Sequence, residues 1–218
     1  MFPIGDDDTT RRSTPVVTVI VIAINVLVFL LELQAGDAFI AKWAFVPARF
    51  ASDPLGNAPT LVTAMFMHGG WLHLGGNMLY LWIFGDNVED RFGPVRYIIF
   101  YLLAGFAATF AQYVVNPAST VPNLGASGAI AGVLGAYILM FPGARVDVLL
   151  GQRVVPMPAF VVLGLWIALQ LMSSVGSITS SSQTADTGGV AYMAHIGGFL
   201  AGLAMAAVLR GRGQRSIA

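Results

Sequence analysis

The chain has 218 residues, 56% of them hydrophobic and 10% charged, with no net charge and no cysteine. A soluble globular protein carries roughly 25% charged residues; with a mean hydropathy of +0.76, this composition belongs to the membrane class. It excludes a basic nucleic-acid surface, disulfides, zinc–thiolate sites and a cysteine nucleophile.

Six stretches are apolar over about the length that crosses a bilayer, roughly 17 to 25 residues. They run over 16–33, 70–88, 94–115, 127–141, 157–172 and 190–209. The runs are long and unbroken, unlike the alternating strands of a membrane barrel. The expected fold is therefore all-α, a polytopic bundle of six transmembrane helices. Arg11 and Arg12 precede the first run. That run is long for a signal peptide, and no small-x-small cleavage site follows it, so it reads as an uncleaved helix.

The 34–60 segment mixes Trp43, Phe45 and Phe50 with Lys42 and Arg49, a composition suited to a membrane interface. The 116–126 segment is uncharged and holds Pro117, Pro122 and Gly125; 175–189 is rich in Ser, Thr and Gly and reads as a mobile loop. With Arg11 and Arg12 in the cytoplasm, six spans put nine Lys and Arg inside, against Lys42 and Arg49 outside. This asymmetry predicts both termini inside. It gives a cytoplasmic segment 1–15, a membrane domain 16–210 and a basic cytoplasmic tail 211–218.

Polar residues within spans are costly and point to function. Asn77 and His195 fall about 8 to 9 Å below the outer ends of the second and sixth stretches at 1.5 Å per residue. The fourth stretch covers only about 22 Å of a hydrocarbon core about 30 Å thick. Ser127 then starts about 8 Å below the outer surface, and the preceding loop is re-entrant, dipping into the membrane. Three spans thus deliver polar groups to one depth. Gly128-x-x-x-Gly132 and Gly198-x-x-x-Gly202 are small-residue faces that let two helices approach closely. Their contact would bring His195 to Ser127. The plainer readings are a packing serine and an asparagine that bonds across helices. Asn25, Gln112 and Gln170 are read as structural. His68 is a candidate cap or cavity wall, and Gly125 and Ala131 are further cavity-lining candidates.

Three motifs carry a resemblance. Gly125-Ala126-Ser127-Gly128, His73-x-x-x-Asn77 (preceded by His68-Gly69-Gly70-Trp71-Leu72) and Ala194-His195-Ile196-Gly197-Gly198 stand in order on the second, fourth and sixth stretches. Together they resemble the rhomboid intramembrane serine proteases over about 15–210. The resemblance implies a rhomboid-like six-helix core with a short central fourth helix. It implies a catalytic dyad of Ser127 and His195 without an acidic third member. Oxyanion stabilisation falls to His73, Asn77 and the Ser127 backbone N–H. Asp86 and Glu89 lie too far down the second stretch to orient His195. Substrates would be single-span membrane proteins with a small residue before the cut, and the fifth stretch with 175–189 is the candidate gate.

Two departures stand out: Ala131 replaces an aromatic that stacks on the histidine in many relatives, and Pro59-Thr60 replaces a Trp-Arg pair. No metal or other cofactor is expected, and the sequence carries no H-E-x-x-H motif. The expected location is a bacterial inner membrane, with the site open to the outer face. The alternatives are a catalytically inactive rhomboid-like protein that binds transmembrane clients and, less in keeping with the absence of buried charge, a small transporter or channel.

Overall fold

The structure is a computed structural model and describes residues 2–7, 11–179 and 192–213. The expected mobile loop over 175–189 falls mostly outside the described residues, as does the end of the basic tail.

Among the described residues, six helices of 14 residues or more form the bundle: α1 (Val16–Ala35), α2 (Trp71–Phe92), α3 (Pro94–Val115), α4 (Ser127–Met140), α5 (Ala159–Thr179) and α6 (Tyr192–Gly213). Three stretches, Val16–Ala35, Pro94–Val115 and Tyr192–Leu209, are long and apolar enough to cross a membrane. Ser127–Met140 and Ala159–Ser174 are apolar but shorter. α2 has the length but carries His73, Asn77, Asp86, Asn87 and Glu89. Gly93, with φ +75°, ends α2 in a conformation that favours glycine, and Pro94 opens α3 at its first turn, where a missing N–H costs nothing.

α4 is the axis of the fold. Every residue from Gly128 to Tyr137 is buried, and α6, α3 and α2 all pack on it, α6 most closely. Glycine explains the closeness. A Cβ on Gly198 would overlap the Gly128 carbonyl, and one on Gly202 the Gly132 carbonyl. α3 approaches the same glycines with alanines: Ala108 lies against Gly128 and Ala104 against Gly132. Small residues on three helices thus let the backbones meet.

The all-α expectation needs a correction. A three-stranded antiparallel sheet, ordered β1 (Phe2–Asp6), β2 (Arg145–Leu150) and β3 (Arg153–Pro158), closes one end of the bundle. β2 pairs with β3 in the register Val148↔Val155 and Leu150↔Arg153. The two-residue turn between them holds Gly151 at φ +61°, as hairpin turns favour. Val146 and Val148 alternate inward on β2 and are fully buried. Strands this short leave no long apolar run, and Met157, expected at the start of the fifth span, belongs to β3, with α5 beginning at Ala159.

The same end is tied by carboxylates. Glu89 of α2 accepts hydrogen bonds from Val17 N, Thr18 N and Thr18 Oγ1, each at 2.8 Å, and so caps α1 from outside. Arg11 pairs with Asp86 at 2.8 Å. Asp6 accepts from Asn87 Nδ2 at 2.9 Å and from Tyr137 Oη at 2.5 Å, joining β1 to α2 and α4.

At the opposite end, the segment between α1 and α2 folds into four short helices, Asp37–Trp43, Pro47–Ser52, Pro54–Asn57 and Thr60–Thr63, and a 3₁₀ turn, Ala64–Phe66. Phe45 is 1% exposed. It stacks with Phe50, and both rings meet Tyr113 of α3.

Candidate functional site

A cavity of about 650 Å³ opens at this second end, and Trp71, His73, Asn77, Gly125, Ser127 and His195 are among the residues on its wall. Ser127 is the first residue of α4. Its hydroxyl therefore sits where first-turn N–H groups lack partners within the helix and the helix dipole favours negative charge. The preceding backbone is held by the bond from Gly125 N to Ala64 O at 2.8 Å. Gly125 has φ +134°. A Cβ there would stand 2.9 Å from the His73 ring and 3.6 Å from Ser127 Oγ. Only glycine lets the serine loop and the α2 imidazole come this close.

His195 projects from α6, one turn before Gly198. Its Nε2 lies 2.8 Å from Ser127 Oγ, a normal hydrogen-bond distance, and the residue is 9% exposed. The α4–α6 glycine contact holds the two side chains in this relation.

Asn77 is buried on α2 but reaches the cavity wall. Its Nδ2 is 2.9 Å from His68 Nε2, which leaves the second amide hydrogen unengaged by that contact. His68 does not line the cavity. It is 2% exposed, stands behind Asn77, and meets the His73 ring edge-on at 5.1 Å. Its backbone N–H donates to Glu32 of α1, at 3.0 Å to Oε2 and 3.2 Å to Oε1. Ala131 is likewise no wall residue: it is fully buried within the packing of α4. Among the described residues, no group of three His, Asp or Glu side chains converges as a metal site.

Three residues were missed or set aside in the sequence. Gln170, read as structural, brings its Oε1 to 2.8 Å from His195 Nδ1. Trp166, one helical turn earlier on α5, lays its ring 5.7 Å from the imidazole at 38°. The i, i+4 spacing of an aromatic and an amide on an apolar helix was the available signal, but no motif marks it. Glu32 was legible only as the single acid of the first apolar run.

The rhomboid domain model matches residues 56–212. The chain belongs to the rhomboid family. It is 36% identical over 136 residues to Rhomboid protease GluP of Bacillus subtilis, covering 59% of this chain and 25% of that protein. It is 29% identical over 187 residues to the mitochondrial Rhomboid protein 1 of Saccharomyces cerevisiae, covering 84% and 50%. To the human mitochondrial Presenilin-associated rhomboid-like protein it is 30% identical over 189 residues, covering 84% and 45%. The matched part thus spans between a quarter and a half of these relatives' own lengths. With its apolar helices, this rhomboid is an integral membrane protein.

Proposed function

We propose that this rhomboid is an intramembrane serine endopeptidase that cleaves single-span membrane proteins near the outer end of their transmembrane helix. The observation that carries the reading is the 2.8 Å contact between His195 Nε2 and Ser127 Oγ, made by two helices locked backbone to backbone. A serine hydroxyl needs such a positioned base to act as a nucleophile.

In the first step Ser127 Oγ bonds to the scissile carbonyl carbon while its proton passes to His195 Nε2, and the carbonyl π pair moves onto oxygen. The oxyanion is met by the Ser127 backbone N–H at the head of α4 and by donors on His73 and Asn77. Collapse breaks the C–N bond, and the His195 proton leaves on the amine. Water then attacks the acyl carbon and gives a proton to His195, which returns it to Ser127 Oγ as the ester breaks. The cavity has room for the water and for an extended strand. In this reading all six long helices span the bilayer, and the backbone before α4 is re-entrant. Segments 1–15 and 211–218 are cytoplasmic, and the cavity faces outward in a bacterial inner membrane. The uneven distribution of Lys and Arg supports that orientation.

The test is cleavage of a model single-span substrate by the purified protein in detergent. Ser127→Ala and His195→Ala should each abolish cleavage while leaving thermal unfolding unchanged. A fluorophosphonate should label wild type but not Ser127→Ala. Cleavage that survives both substitutions would remove the dyad. A folded wild type that neither cleaves nor labels would favour an inactive client-binding rhomboid.

A further inference from the structure

The sequence left the catalytic histidine without two supports. It offered no acid for Nδ1, and Ala131 occupied the place of an aromatic platform. Both supports come from α5 in the structure. Trp166 packs against the imidazole at a tilt, and its ring also reaches Phe199, one turn beyond His195 on α6, at 6.4 Å. Gln170 closes the Nδ1 edge at 2.8 Å. The i, i+4 spacing points both side chains the same way from one helix.

We propose that Gln170 is the positioning residue that completes this site, so that its working unit is Ser127–His195–Gln170 on a Trp166 platform. The inference rests on His195 acting as the base. The amide oxygen facing Nδ1 is an acceptor only. A neutral imidazole satisfies it by carrying its proton on Nδ1, which leaves Nε2 with a free lone pair aimed at the Ser127 hydroxyl. That is the tautomer a general base needs, and a partner on the second ring nitrogen is what selects it. An uncharged acceptor also suits a membrane interior, where a carboxylate in the same place would be costly.

Among the described residues, no charged side chain of α4, α5 or α6 stands beside the imidazole. α4 and α5 present no acid, lysine or arginine; on α6, Tyr192 lies one turn before His195, and Arg210 and Arg212 are about 22 to 26 Å beyond it along the helix. The titratable neighbour across the cavity is His73 of α2. Because one helix carries both contacts, swinging α5 outward would strip His195 of its platform and its tautomer partner together. The docked position of α5 is therefore the competent one.

The chain has three histidines, so ¹⁵N-histidine labelling of the full protein in detergent micelles reads the tautomer directly. Wild-type His195 should show a protonated Nδ1 and a bare Nε2, and Gln170→Met should lose that preference. Gln170→Met should also lower kcat about 10- to 100-fold, by analogy with a metal-bound histidine that loses its outer hydrogen-bond partner, with KM little changed. Gln170→Glu restores an acceptor and should recover activity. Wild-type kcat and an unchanged tautomer in Gln170→Met would overturn the proposal. If that variant fails to fold, Gln170→Leu takes its place in the same two measurements, and a wild-type kcat and tautomer there would overturn the proposal. A wild type that neither cleaves nor labels would instead sink the protease reading, while the tautomer signal would still decide whether Gln170 sets the imidazole.

Discussion

Substituting Gly198 by alanine tests the link between backbone packing and chemistry. The new Cβ would stand 3.0 Å from the Gly128 carbonyl carbon, inside the contact distance of its oxygen, and 3.3 Å from the Ala108 methyl. Comfortable carbon–carbon contact is about 3.5 to 4.0 Å, so α6 must move away from α4 by about 1 Å. Gly198 lies one turn from His195, so the Nε2–Oγ distance of 2.8 Å would stretch past hydrogen-bonding reach. A misplacement of that size costs about 10²-fold in turnover, and overpacking of this kind costs about 1 to 3 kcal/mol in stability. The assay is the initial rate of cleavage of a single-span substrate in detergent, with the rate of fluorophosphonate labelling at Ser127 and a thermal unfolding curve. Gly164→Ala is the control: its Cβ on α5 meets nothing within 4 Å and should leave rate and stability unchanged. Wild-type turnover in Gly198→Ala, or an equal loss in Gly164→Ala, would refute the reasoning.

Asn77→Ala should lower kcat by about 10²- to 10³-fold, the usual loss for one oxyanion donor, with KM nearly unchanged. Glu32 pins His68, which in turn bonds Asn77, so Glu32→Leu should reproduce part of that kcat loss. Glu32→Gln keeps a carbonyl acceptor for the His68 N–H and should retain most of the activity; steady-state kinetics of the three variants decide this. Glu89→Ala leaves three α1 donors without their acceptor. It should lower stability by about 2 kcal/mol, as lost caps and unsatisfied buried donors do, read from thermal or denaturant unfolding. Turnover at permissive temperature should stay near wild type, because this cap is at the other end of the bundle from Ser127.

Much of this protein was open to reading from its residues alone. The helical framework was legible because a span in lipid needs about 20 apolar residues, and that demand is local; Val16–Ala35, Pro94–Val115 and Tyr192–Leu209 meet it. α3 was placed to the residue, since Gly93-Pro94 punctuates its start. Ser127, His195, His73 and Asn77 were legible as candidates because polar groups in apolar runs are rare and costly, and spacing gave Ser127, His195 and Asn77 one expected depth. The close meeting of Gly128 with Gly198 followed from small residues at four-residue intervals.

Contacts between residues distant in sequence were decided only by the tertiary structure. No local pattern says that an amide on α5 faces a ring on α6, that Glu32 of α1 holds the backbone behind Asn77, or that Glu89 of α2 caps α1. Each depends on which helix faces which neighbour. The sheet escaped for a related reason: Phe2–Asp6 and Arg145–Leu150 are too short to announce themselves, and they pair across about 140 residues. His68 and Ala131, candidates for the cavity wall, were turned inward by the same packing. Composition and periodicity settle which residues must leave water, whereas the partner each one then meets is settled by how whole helices dock.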